Sequence, residues 1–446
     1  MNKLQVGFGR VNITPSMGTP VSGYYKDRFA DGVLDPLEAN ALALACGDSR
    51  AVLLSLDNCG IPTALQLQYK AAIGAATGLK SEEIYISCTH THTGPFLRLP
   101  HADKLEEQYS AFVEGRLCDA ANMALKDLQE ARMGFGVGQA PNIAFVRRFR
   151  MKDGSVKTNP GVDNPDILAP LGDVDERVSV LRFDRPNDSL VLVQFADHPD
   201  VVGGCKISAD WPGFARETVE LAIPGTKCIF FNGAEGDVNH VNVHPKGGDF
   251  NDMFEDFDDV SRGYGHARYM GRVVAGAVLQ AYDKVEFVDV DQIRFAETMV
   301  RVPSNKADPK DLPEAHRLSD LHSSGRDDLI PYTGMRLTTV VAAARRMVRL
   351  ENGPDYFDMP ILAVAIGPLA FVGLPGEPFA GIGRALKESE GWKMVLPTCC
   401  TNAHEGYFPM QEAYDEGGYE SGSSVFKAGV AEILIAEGKK LLDSLR

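Results

Sequence analysis

The sequence predicts an α/β fold in which mixed β-sheets are flanked by helices, as one large domain over residues 1–446. Short apolar runs alternate with stretches of helical periodicity along the whole chain. Hydrophobic residues make up 44% and charged residues 24%, the balance of a globular protein with a sizeable core. No linker-like change of composition and no internal repeat divides the chain, so a single domain is expected.

The chain is strongly acidic, which excludes two classes of partner. It has 45 Lys and Arg against 61 Asp and Glu, a formal net charge of −16. Nucleic-acid binders carry basic patches, and an acidic protein is repelled by anionic membranes. We therefore expect a small-molecule substrate, no nucleic-acid partner and no stable membrane insertion, while nothing in the composition indicates the oligomeric state.

The N-terminus and the cysteines favour a cytoplasmic protein. No apolar segment of the kind that a secretory signal needs is visible at the N-terminus, although a secreted or periplasmic chain trimmed of its signal would look the same. No apolar run approaches the ~20 residues that span a bilayer. The eight cysteines form no CxxC pair, so reduced thiols are expected.

The first third of the chain predicts strands that alternate with two long helices. Apolar runs bounded by turn residues predict the strands, and apolar residues at helical spacing predict the helices. The expected strands are Gln5–Ile13, Ala41–Cys46, Ala51–Asp57, Ile84–Cys88 and Met133–Val137. The expected helices are Thr63–Thr77 and Leu105–Gln129.

The middle of the chain predicts a hairpin, a buried strand and two helices. The turn Arg185-Pro186-Asn187-Asp188 separates two apolar runs and so predicts the hairpin. The expected strands are Val178–Phe183, Leu190–Ala196 and Cys228–Phe231, and the helices are Phe214–Ala222 and Gly265–Tyr282.

The last third predicts a second hairpin and a charged excursion over the surface. Two apolar runs around Gly367-Pro368 predict the hairpin. The expected strands are Val288–Val302, Ile361–Ile366, Leu369–Leu374 and Met394–Leu396, and the helices are Leu337–Leu350 and Val425–Leu445. The charged stretch Ser304–Asp328 is expected to cross the surface and could form a lid.

Two histidines stand where the strand Ile84–Cys88 ends. His90 and His92 are two residues apart, so both rings would point to the same side of an extended backbone. Same-side imidazoles suit a metal ligand beside a group that hydrogen-bonds a reacting atom. The alternative is a pair of histidines bonded to neighbouring hydroxyls.

His198 and Glu377 follow two other predicted strands. Functional sites of α/β sheets gather at the carboxyl ends of strands, so these residues and His90 are expected to meet. Glu377 could instead stabilise the beginning of a helix through the helix dipole. Two histidines and a glutamate from three strand ends would form a zinc shell with an open position.

The roles of two aspartates remain open, and several other kinds of site are not expected. Asp57 and Asp237 lie near strand ends and could support the site or stabilise turns. The acidic segment 247–259 does not fit the spacing of a calcium loop and is expected to be solvated. His404 has no second histidine at helical spacing and is expected to be structural. No nucleophile elbow, HExxH, P-loop or dinucleotide fingerprint is present.

In order along the chain, short motifs resemble the neutral/alkaline non-lysosomal ceramidase family, specifically its zinc-dependent catalytic domain. They span nearly the whole chain, and their collinearity makes the resemblance specific. They are Val6-Gly7-Phe8-Gly9-Arg10, Ile13-Thr14-Pro15, Gly23-Tyr24, Thr89-His90-Thr91-His92-Thr93-Gly94-Pro95, Arg147-Arg148, Phe195-Ala196-Asp197-His198-Pro199, Ser208-Ala209-Asp210-Trp211-Pro212-Gly213, Asn232–Asp237, Leu374-Pro375-Gly376-Glu377-Pro378, and Tyr407 through Tyr419-Glu420.

The resemblance implies a ligand set and a catalytic set. Zn²⁺ would be held by His90, His198, Glu377 and Tyr407. Tyr414 is the alternative to Tyr407, because the register of the motif is approximate there. The catalytic residues would be His92, Arg147 and Tyr419, with His92 and Tyr419 placed to contact the scissile carbonyl.

The chain also departs from the family pattern. Where the family has Gly-Asp-Val-Ser-Pro-Asn, it reads Gly236-Asp237-Val238-Asn239-His240-Val241, and the family's Asn-Arg-Ser is replaced by Val146-Arg147-Arg148. It ends in a predicted helix, so the C-terminal immunoglobulin-like domain of the full-length enzymes is not expected. Because neither a signal peptide nor an apolar access surface is visible in the sequence, a long-chain sphingolipid is not the expected substrate.

The resemblance implies a zinc-dependent amidohydrolase that cleaves a C–N bond in a small or polar substrate through a zinc-activated water. Ceramide would be a special case of such an amide substrate. Two alternatives stay open at this point. One is metal-dependent ring-opening, lyase or isomerase chemistry on a carbohydrate-like metabolite, and the other is a non-catalytic binding protein on the same fold.

Overall fold

The structure is a computed structural model that describes residues 3–101, 103–246 and 261–446. The strands are β1 (Gln5–Asn12), β2 (Gly32–Val33), β3 (Glu38–Cys46), β4 (Ser49–Leu56), β5 (Ile84–Cys88), β6 (Gln129–Glu130), β7 (Arg132–Gln139), β8 (Phe145–Val146), β9 (Arg148–Met151), β10 (Val156–Thr158), β11 (Ile167–Pro170), β12 (Arg177–Asp184), β13 (Ser189–Phe195), β14 (Lys206–Ile207), β15 (Thr226–Asn232), β16 (Val238–Asn239), β17 (Glu286–Val288), β18 (Ile293–Pro303), β19 (Tyr356–Ile366), β20 (Leu369–Gly373), β21 (Glu377–Pro378), β22 (Met394–Thr398) and β23 (Tyr407–Phe408). The helices are α1 (Thr63–Thr77), α2 (Lys104–Lys126), α3 (Asp210–Ala222), α4 (Tyr264–Tyr282), α5 (Leu312–Ser323), α6 (Gly334–Glu351), α7 (Ala380–Lys387), α8 (Gln411–Glu416), α9 (Tyr419–Ser423) and α10 (Val430–Ser444).

Three large mixed sheets form the centre of the protein. Their strand orders are β5-β4-β3-β1-β6, β15-β13-β12-β7-β17 and β18-β19-β20-β22. Two helices pack on each sheet: α1 and α2 on the first, α3 and α4 on the second, α7 and α10 on the third. The predicted α/β class, with mixed sheets flanked by helices, is confirmed.

The faces of the three sheets that carry no helix meet in one apolar core. Tyr85 of β5, Phe231 of β15 and Phe371 of β20 touch one another edge to face, with ring centroids 6.1–6.2 Å apart. Such edge-to-face contacts between aromatic rings are favourable beyond the area that they bury. Each ring comes from a different sheet, so this triad holds the three sheets together.

Each large sheet contains one parallel pair, and this determines where the site lies. The parallel pairs are β4 with β5, β13 with β15, and β20 with β22. Backbone hydrogen bonds join the segments that follow them: the Cys88 amide donates to the Cys400 carbonyl at 3.2 Å, and the Cys399 amide to the Asn232 carbonyl at 3.1 Å. The carboxyl ends of parallel strands from all three sheets therefore meet at one place.

The helix pair α5–α6 lies outside this arrangement. It occupies the connection between β18 and β19, and its two helices bury Leu318, Ile330 and Val341 between them. At the edge of this pair, His322 Nε2 lies 3.1 Å from the Tyr25 carbonyl oxygen. The predicted charged excursion, Ser304–Asp328, thus contains the helix α5, which the sequence analysis did not predict.

Several predicted elements are wrong in their extent: the helix Phe214–Ala222 begins at Asp210 and the strand Ile361–Ile366 at Tyr356. The expected strand Val288–Val302 is two strands, since β17 pairs with β7 of the second sheet and β18 with β19 of the third. The expected helix Val425–Leu445 begins only at Val430, because Val425 and Phe426 are buried in the third sheet's core and Gly429 has φ +98°.

The bounds of two elements and one hairpin are confirmed, and one predicted segment falls outside the described residues. Helix α1 and strand β5 have the predicted bounds, and β19 and β20 form the hairpin expected around Gly367-Pro368. All eight cysteines are free. The acidic segment 247–259 lies outside the described residues, and among those that are described no helix is long and apolar enough to cross a membrane.

Candidate metal centre

Three predicted ligands meet at the junction of the sheets. His90 follows β5, His198 follows β13 and Glu377 follows β20, and all three side chains are buried. The Oε2 atom of Glu377 is 3.5 Å from His90 Nε2 and 3.3 Å from His198 Nε2. The candidate ligand atoms of the three residues lie within 4.8 Å of one another.

Backbone carbonyl groups orient the imidazole rings of His90 and His198. His90 Nδ1 is 2.6 Å from the Cys59 carbonyl oxygen, and His198 Nδ1 is 2.8 Å from that of Glu235. A carbonyl can only accept, so each Nδ1 carries the proton and donates it, and each Nε2 is directed at Glu377. Metal-binding histidines are held in this way in known sites.

The protonation states of Glu377 and His198 suit a cation, whereas for His90 the neighbouring acidic groups outweigh burial and raise its pKa well above the usual value. Burial alone would raise the pKa of Glu377, but the surrounding histidines outweigh burial and hold this pKa well below its usual range. Burial, followed by the charge of Arg147, lowers the pKa of His198. An ionised carboxylate and a neutral imidazole result, and these are the protonation states that bind metal.

The residues present fit a zinc ion. Ligand atoms at about 2.0–2.1 Å from a tetrahedral zinc lie about 3.3 Å from one another. The two distances from Glu377 Oε2 to the histidine nitrogens, 3.3 and 3.5 Å, match that separation. Nitrogen and oxygen donors of this kind belong to catalytic zinc sites, which keep a further position open.

His92 lies at the edge of this cluster. Its Nε2 is 3.2 Å from His90 Nε2, and its ring packs edge to face on Tyr24. A Cβ on Gly23, where φ is +102°, would lie 2.6 Å from the His92 side chain. The rings meet as expected, but the backbone is not extended, because His90 has φ +76°.

Of the two tyrosines that the sequence left open, Tyr407 is the one beside the cluster. It is the direct partner of Glu377 in the parallel pair β21–β23, so both side chains leave the same face. Its ring stacks on His198 with centroids 6.4 Å apart, and burial raises its pKa well above the usual value. The Tyr414 hydroxyl instead donates to the Phe426 carbonyl at 2.7 Å.

Arg147 connects several of these groups. Its Nε donates to Glu420 at 2.8 Å and its Nη2 to the Gly236 carbonyl at 2.7 Å, and both charged side chains are buried. Its Nη1 is 3.4 Å from His198 Nε2, and its guanidinium carbon lies 5.3 Å from the centre of the Tyr407 ring. Arg147 is thereby fixed next to two of the candidate ligands.

Tyr419 stands at the beginning of α9, with its ring 5.5 Å from that of Tyr407. Its ring packs edge to face on Tyr25 with centroids 6.4 Å apart, and burial raises the pKa of Tyr419 well above its usual value. The hydroxyl is therefore protonated at neutral pH and can donate a hydrogen bond.

His404 is a site residue that the sequence analysis missed. Its Nε2 lies 3.0 Å from Glu377 Oε1, although it was expected to be structural. A Cβ on Gly60 would lie 2.4 Å from the His404 ring, so this glycine leaves the space that the ring occupies. The loop that carries His404 follows β22, and that position at a strand end was the one signal in the sequence that could have identified it.

Two thiols and a buried carboxyl group lie near His90. The Cys400 and Cys59 sulfurs are 3.5 and 3.8 Å from His90 Nδ1. Burial raises the pKa of the Cys400 thiol well above its usual value, and burial raises the pKa of Glu235 to about 8. Cys400 and Glu235 therefore carry their protons at neutral pH and add no negative charge to the cluster.

Asp57 and Asp237, which the sequence left open, serve the fold. The Asp57 carboxylate accepts two hydrogen bonds from Arg216, at 2.9 and 2.6 Å. Asp237 Oδ1 accepts from the amide of Ala380, the first residue of α7, at 2.7 Å, and burial raises the pKa of Asp237 to about 6. Neither carboxylate contacts the three candidate ligands.

A cavity of about 700 Å³ opens above the cluster. This volume is in the range of sites for small molecules. Its walls combine the cluster, the Gly23–Tyr25 turn, the loop that carries His404, and the helices α6 and α9. The polar and aromatic lining residues include Tyr24, Tyr25, His90, His92, Arg98, Arg345, Arg346, Arg349, Glu377, His404, Glu405, Tyr407 and Tyr419.

Comparison with known proteins gives a likeness at the level of structure. No protein-family model and no curated protein matches the chain. A crystal structure of neutral ceramidase from Pseudomonas aeruginosa is similar with a TM-score of 0.75 at 18% identity, over 100% of this chain and 75% of that one. A structure described as ceramidase complexed with C2 is similar with a TM-score of 0.72 at 18% identity, over 100% of this chain and 76% of that one. The chain has the neutral ceramidase fold, which confirms at that level the resemblance predicted from the motifs.

Proposed function

We propose that this protein is a zinc-dependent amidohydrolase that cleaves a C–N bond in a small or polar substrate. The observation that carries the proposal is the convergence of His90, His198 and Glu377 at distances that suit a tetrahedral zinc, below an open cavity. The fold shared with neutral ceramidases supports amide hydrolysis over other zinc chemistry.

The ligand set is proposed to be His90, His198 and Glu377, with Tyr407 as a fourth member. Zinc at such a site supplies Lewis acidity, which polarises a carbonyl group and activates water near neutral pH. Support for Tyr407 comes from its pairing with Glu377 and from the Arg147 guanidinium, whose carbon lies 5.3 Å from the centre of the Tyr407 ring.

His92 and Tyr419 are proposed to hold the oxygen of the scissile carbonyl. Burial, and then the neighbouring His90, lower the pKa of His92, so its neutral ring can donate one hydrogen bond. The Tyr419 hydroxyl, protonated because burial raises its pKa, is the second donor. Donors fixed before the reaction stabilise negative charge as it develops on the oxygen.

The test of the metal site is the zinc content of the purified protein and of two variants. We expect about one zinc per chain, lost in both His90→Ala and His198→Ala because each removes one of the proposed protein ligands. His316→Ala is the matched control, since His316 is a half-exposed residue bonded to Glu351. Full zinc content in His198→Ala with an intact circular dichroism spectrum would contradict the ligand assignment.

The test of the reaction is hydrolysis of a panel of N-acyl compounds by the zinc-loaded protein. We expect release of free amine that is abolished in His198→Ala and retained in His316→Ala. A zinc-loaded protein that hydrolyses no amide but opens or isomerises carbohydrate-like compounds would contradict the amidohydrolase proposal. So would a protein that binds these compounds and leaves them intact.

A further inference from the structure

Two arginines of α6 reach the cavity above the metal centre without an acidic partner. Arg345 and Arg349 are four residues apart, so they lie on the same face of the helix, and both line the cavity. The guanidinium carbon of Arg345 is 5.9 Å from the ring centre of Tyr25, and the Tyr25 ring packs edge to face on Tyr419. Among the described residues, neither arginine has an ion pair or hydrogen bond.

Their neighbour Arg346 has a different role. Its Nε donates to the Gly422 carbonyl of α9 at 3.1 Å, and its Nη1 donates to the Asn305 carbonyl. Burial lowers the pKa of Arg346. This residue fixes α6 against α9, the helix that begins with Tyr419, and so holds Arg345 and Arg349 at a set distance from the site.

The charge on α6 is opposite to that of the protein. The helix contains four arginines and one acidic residue, Glu351, which is bonded to His316 at 2.8 Å, whereas the whole chain carries −16. Like charges four residues apart destabilise a helix, so two unpaired arginines on one face do not serve the stability of α6. Their position in the cavity wall indicates a role toward a ligand.

The acidic residues of the cavity do not neutralise them. Glu377 is engaged by the histidines, and Glu405 accepts a hydrogen bond from the Thr63 hydroxyl. Asp27 also lines the cavity but is exposed, and no ion pair between described residues joins it to either arginine. The wall formed by α6 is therefore positively charged toward the cavity.

We propose that the cavity accepts an amide whose end remote from the scissile bond carries an anionic group, and that Arg345 and Arg349 bind this group. The inference rests on the amidohydrolase proposed above and specifies its substrate class. The planar guanidinium presents paired N–H donors that fit carboxylate or phosphate oxygens. An uncharged hydrocarbon tail would leave both guanidinium groups without a partner.

The test compares anionic and neutral members of a matched series. The probes are N-acetyl-4-aminobutyrate, N-acetyl-6-aminohexanoate and N-acetylethanolamine phosphate, with the primary amides of the two carboxylates and N-acetylethanolamine as neutral counterparts. We expect the wild-type kcat/KM to be about 10-fold or more higher for an anionic probe than for its counterpart. The phosphate arm distinguishes a phosphorylated substrate from a carboxylate.

Arginine variants assign the preference to α6. Arg345→Gln with Arg349→Gln should lower kcat/KM for the anionic probe about 10-fold or more, through KM, and leave the neutral counterpart unchanged. Arg336→Gln, the matched control on the same helix, stacks on Tyr332 outside the cavity lining and should change neither value. Equal rates for anionic and neutral probes, or equal losses for both in the double variant, would overturn the inference.

A binding measurement separates this inference from the proposed reaction. Calorimetric titration of the anionic probes into His198→Ala, with and without the two arginine substitutions, requires no turnover. Binding to His198→Ala that depends on the arginines, together with a zinc-loaded wild type that hydrolyses no amide, would support the anion site and overturn the amidohydrolase. Hydrolysis of neutral amides with no binding preference for anionic probes would do the reverse.

Discussion

His90 and His92 are two residues apart in one motif, yet their surroundings give them different roles. The Nδ1 of His90 is held by the Cys59 carbonyl, so its Nε2 is directed at Glu377. The ring of His92 instead packs on Tyr24 at the cavity wall, and Gly23 leaves the space for it. A backbone turn at the left-handed His90 produces this division of roles between neighbouring histidines.

This division predicts that His92→Ala differs from His90→Ala, which should lose the zinc. His92→Ala should retain zinc but lower kcat/KM by about 100-fold, the usual loss when one donor to a developing oxyanion is removed. Zinc content and amide hydrolysis measured on the same sample check this. Substoichiometric zinc in His92→Ala would mean that His92, and not only His90, is a ligand.

Several site residues could be predicted from the sequence because each follows an apolar strand. His90, His198 and Glu377 all occupy such positions, and the ends of parallel strands meet in space. His404 could not be predicted in this way. It reaches Glu377 through a loop in which Cys400 and Asn402 have φ +44° and +57°, and no hydrophobic periodicity marks such a path.

At the scale of elements, a buried ion pair joins the first large sheet to a helix that packs on the second. Asp57 follows β4 of the first sheet, and Arg216 lies on α3, which packs on the second sheet. Their side chains are 0% and 5% exposed, and the carboxylate accepts two hydrogen bonds from the guanidinium. A charge left alone at this depth is costly, because protein replaces the water that would solvate it.

Asp57→Asn should therefore lower the free energy of unfolding by about 3 kcal/mol, at the low end for a broken buried pair. The loss is limited because Glu38 Oε2 remains 3.6 Å from Arg216. Asp358→Asn is the matched control, since it breaks a similar two-bond pair with Arg301 at the exposed surface and should cost far less. Urea unfolding followed by fluorescence checks both, and equal losses would contradict the prediction.

The helices and strands themselves were largely predictable from the sequence. The strands and helices with which they pair or pack were not. Helix α1 and strand β5 were predicted to the residue from periodicity, a property of neighbouring residues. The break between β17 and β18 was missed because it depends on pairing with β7 and β19, which lie far away in the sequence. Helix α5 was missed because its charged sequence obscures the short apolar face that packs on α6.

At the scale of the whole molecule, three sheets with two helices each surround the aromatic triad of Tyr85, Phe231 and Phe371. The sequence shows no internal repeat, so this threefold arrangement was not predicted. The packing also buries carboxyl groups between the layers. Burial raises the pKa of Asp35 to about 6 and that of Asp210 to about 7.

These buried acids predict how stability changes with pH. An unfolded aspartate has a pKa of about 4, so between about pH 4 and 7 the folded protein binds more protons at Asp210 than the unfolded chain does. The contribution of Asp210 is therefore fully present below about pH 4 and is lost as the pH rises through 7.

Asp210→Asn isolates this effect, because the amide does not titrate and asparagine tolerates the local φ of +58°. The difference in unfolding free energy, wild type minus variant, should fall by a few kcal/mol between about pH 4.5 and 7.5. Urea unfolding of both proteins at several pH values checks this. A difference that stays constant or grows with pH would contradict the raised pKa.

The position of the α5–α6 pair has a consequence for how such a protein can diverge. The candidate metal ligands follow strands of the three large sheets, whereas the cavity arginines belong to the connection between β18 and β19. Reaction and recognition are thus encoded in separate stretches of sequence. A lineage can replace the α5–α6 segment and acquire new substrates while inheriting the same chemistry.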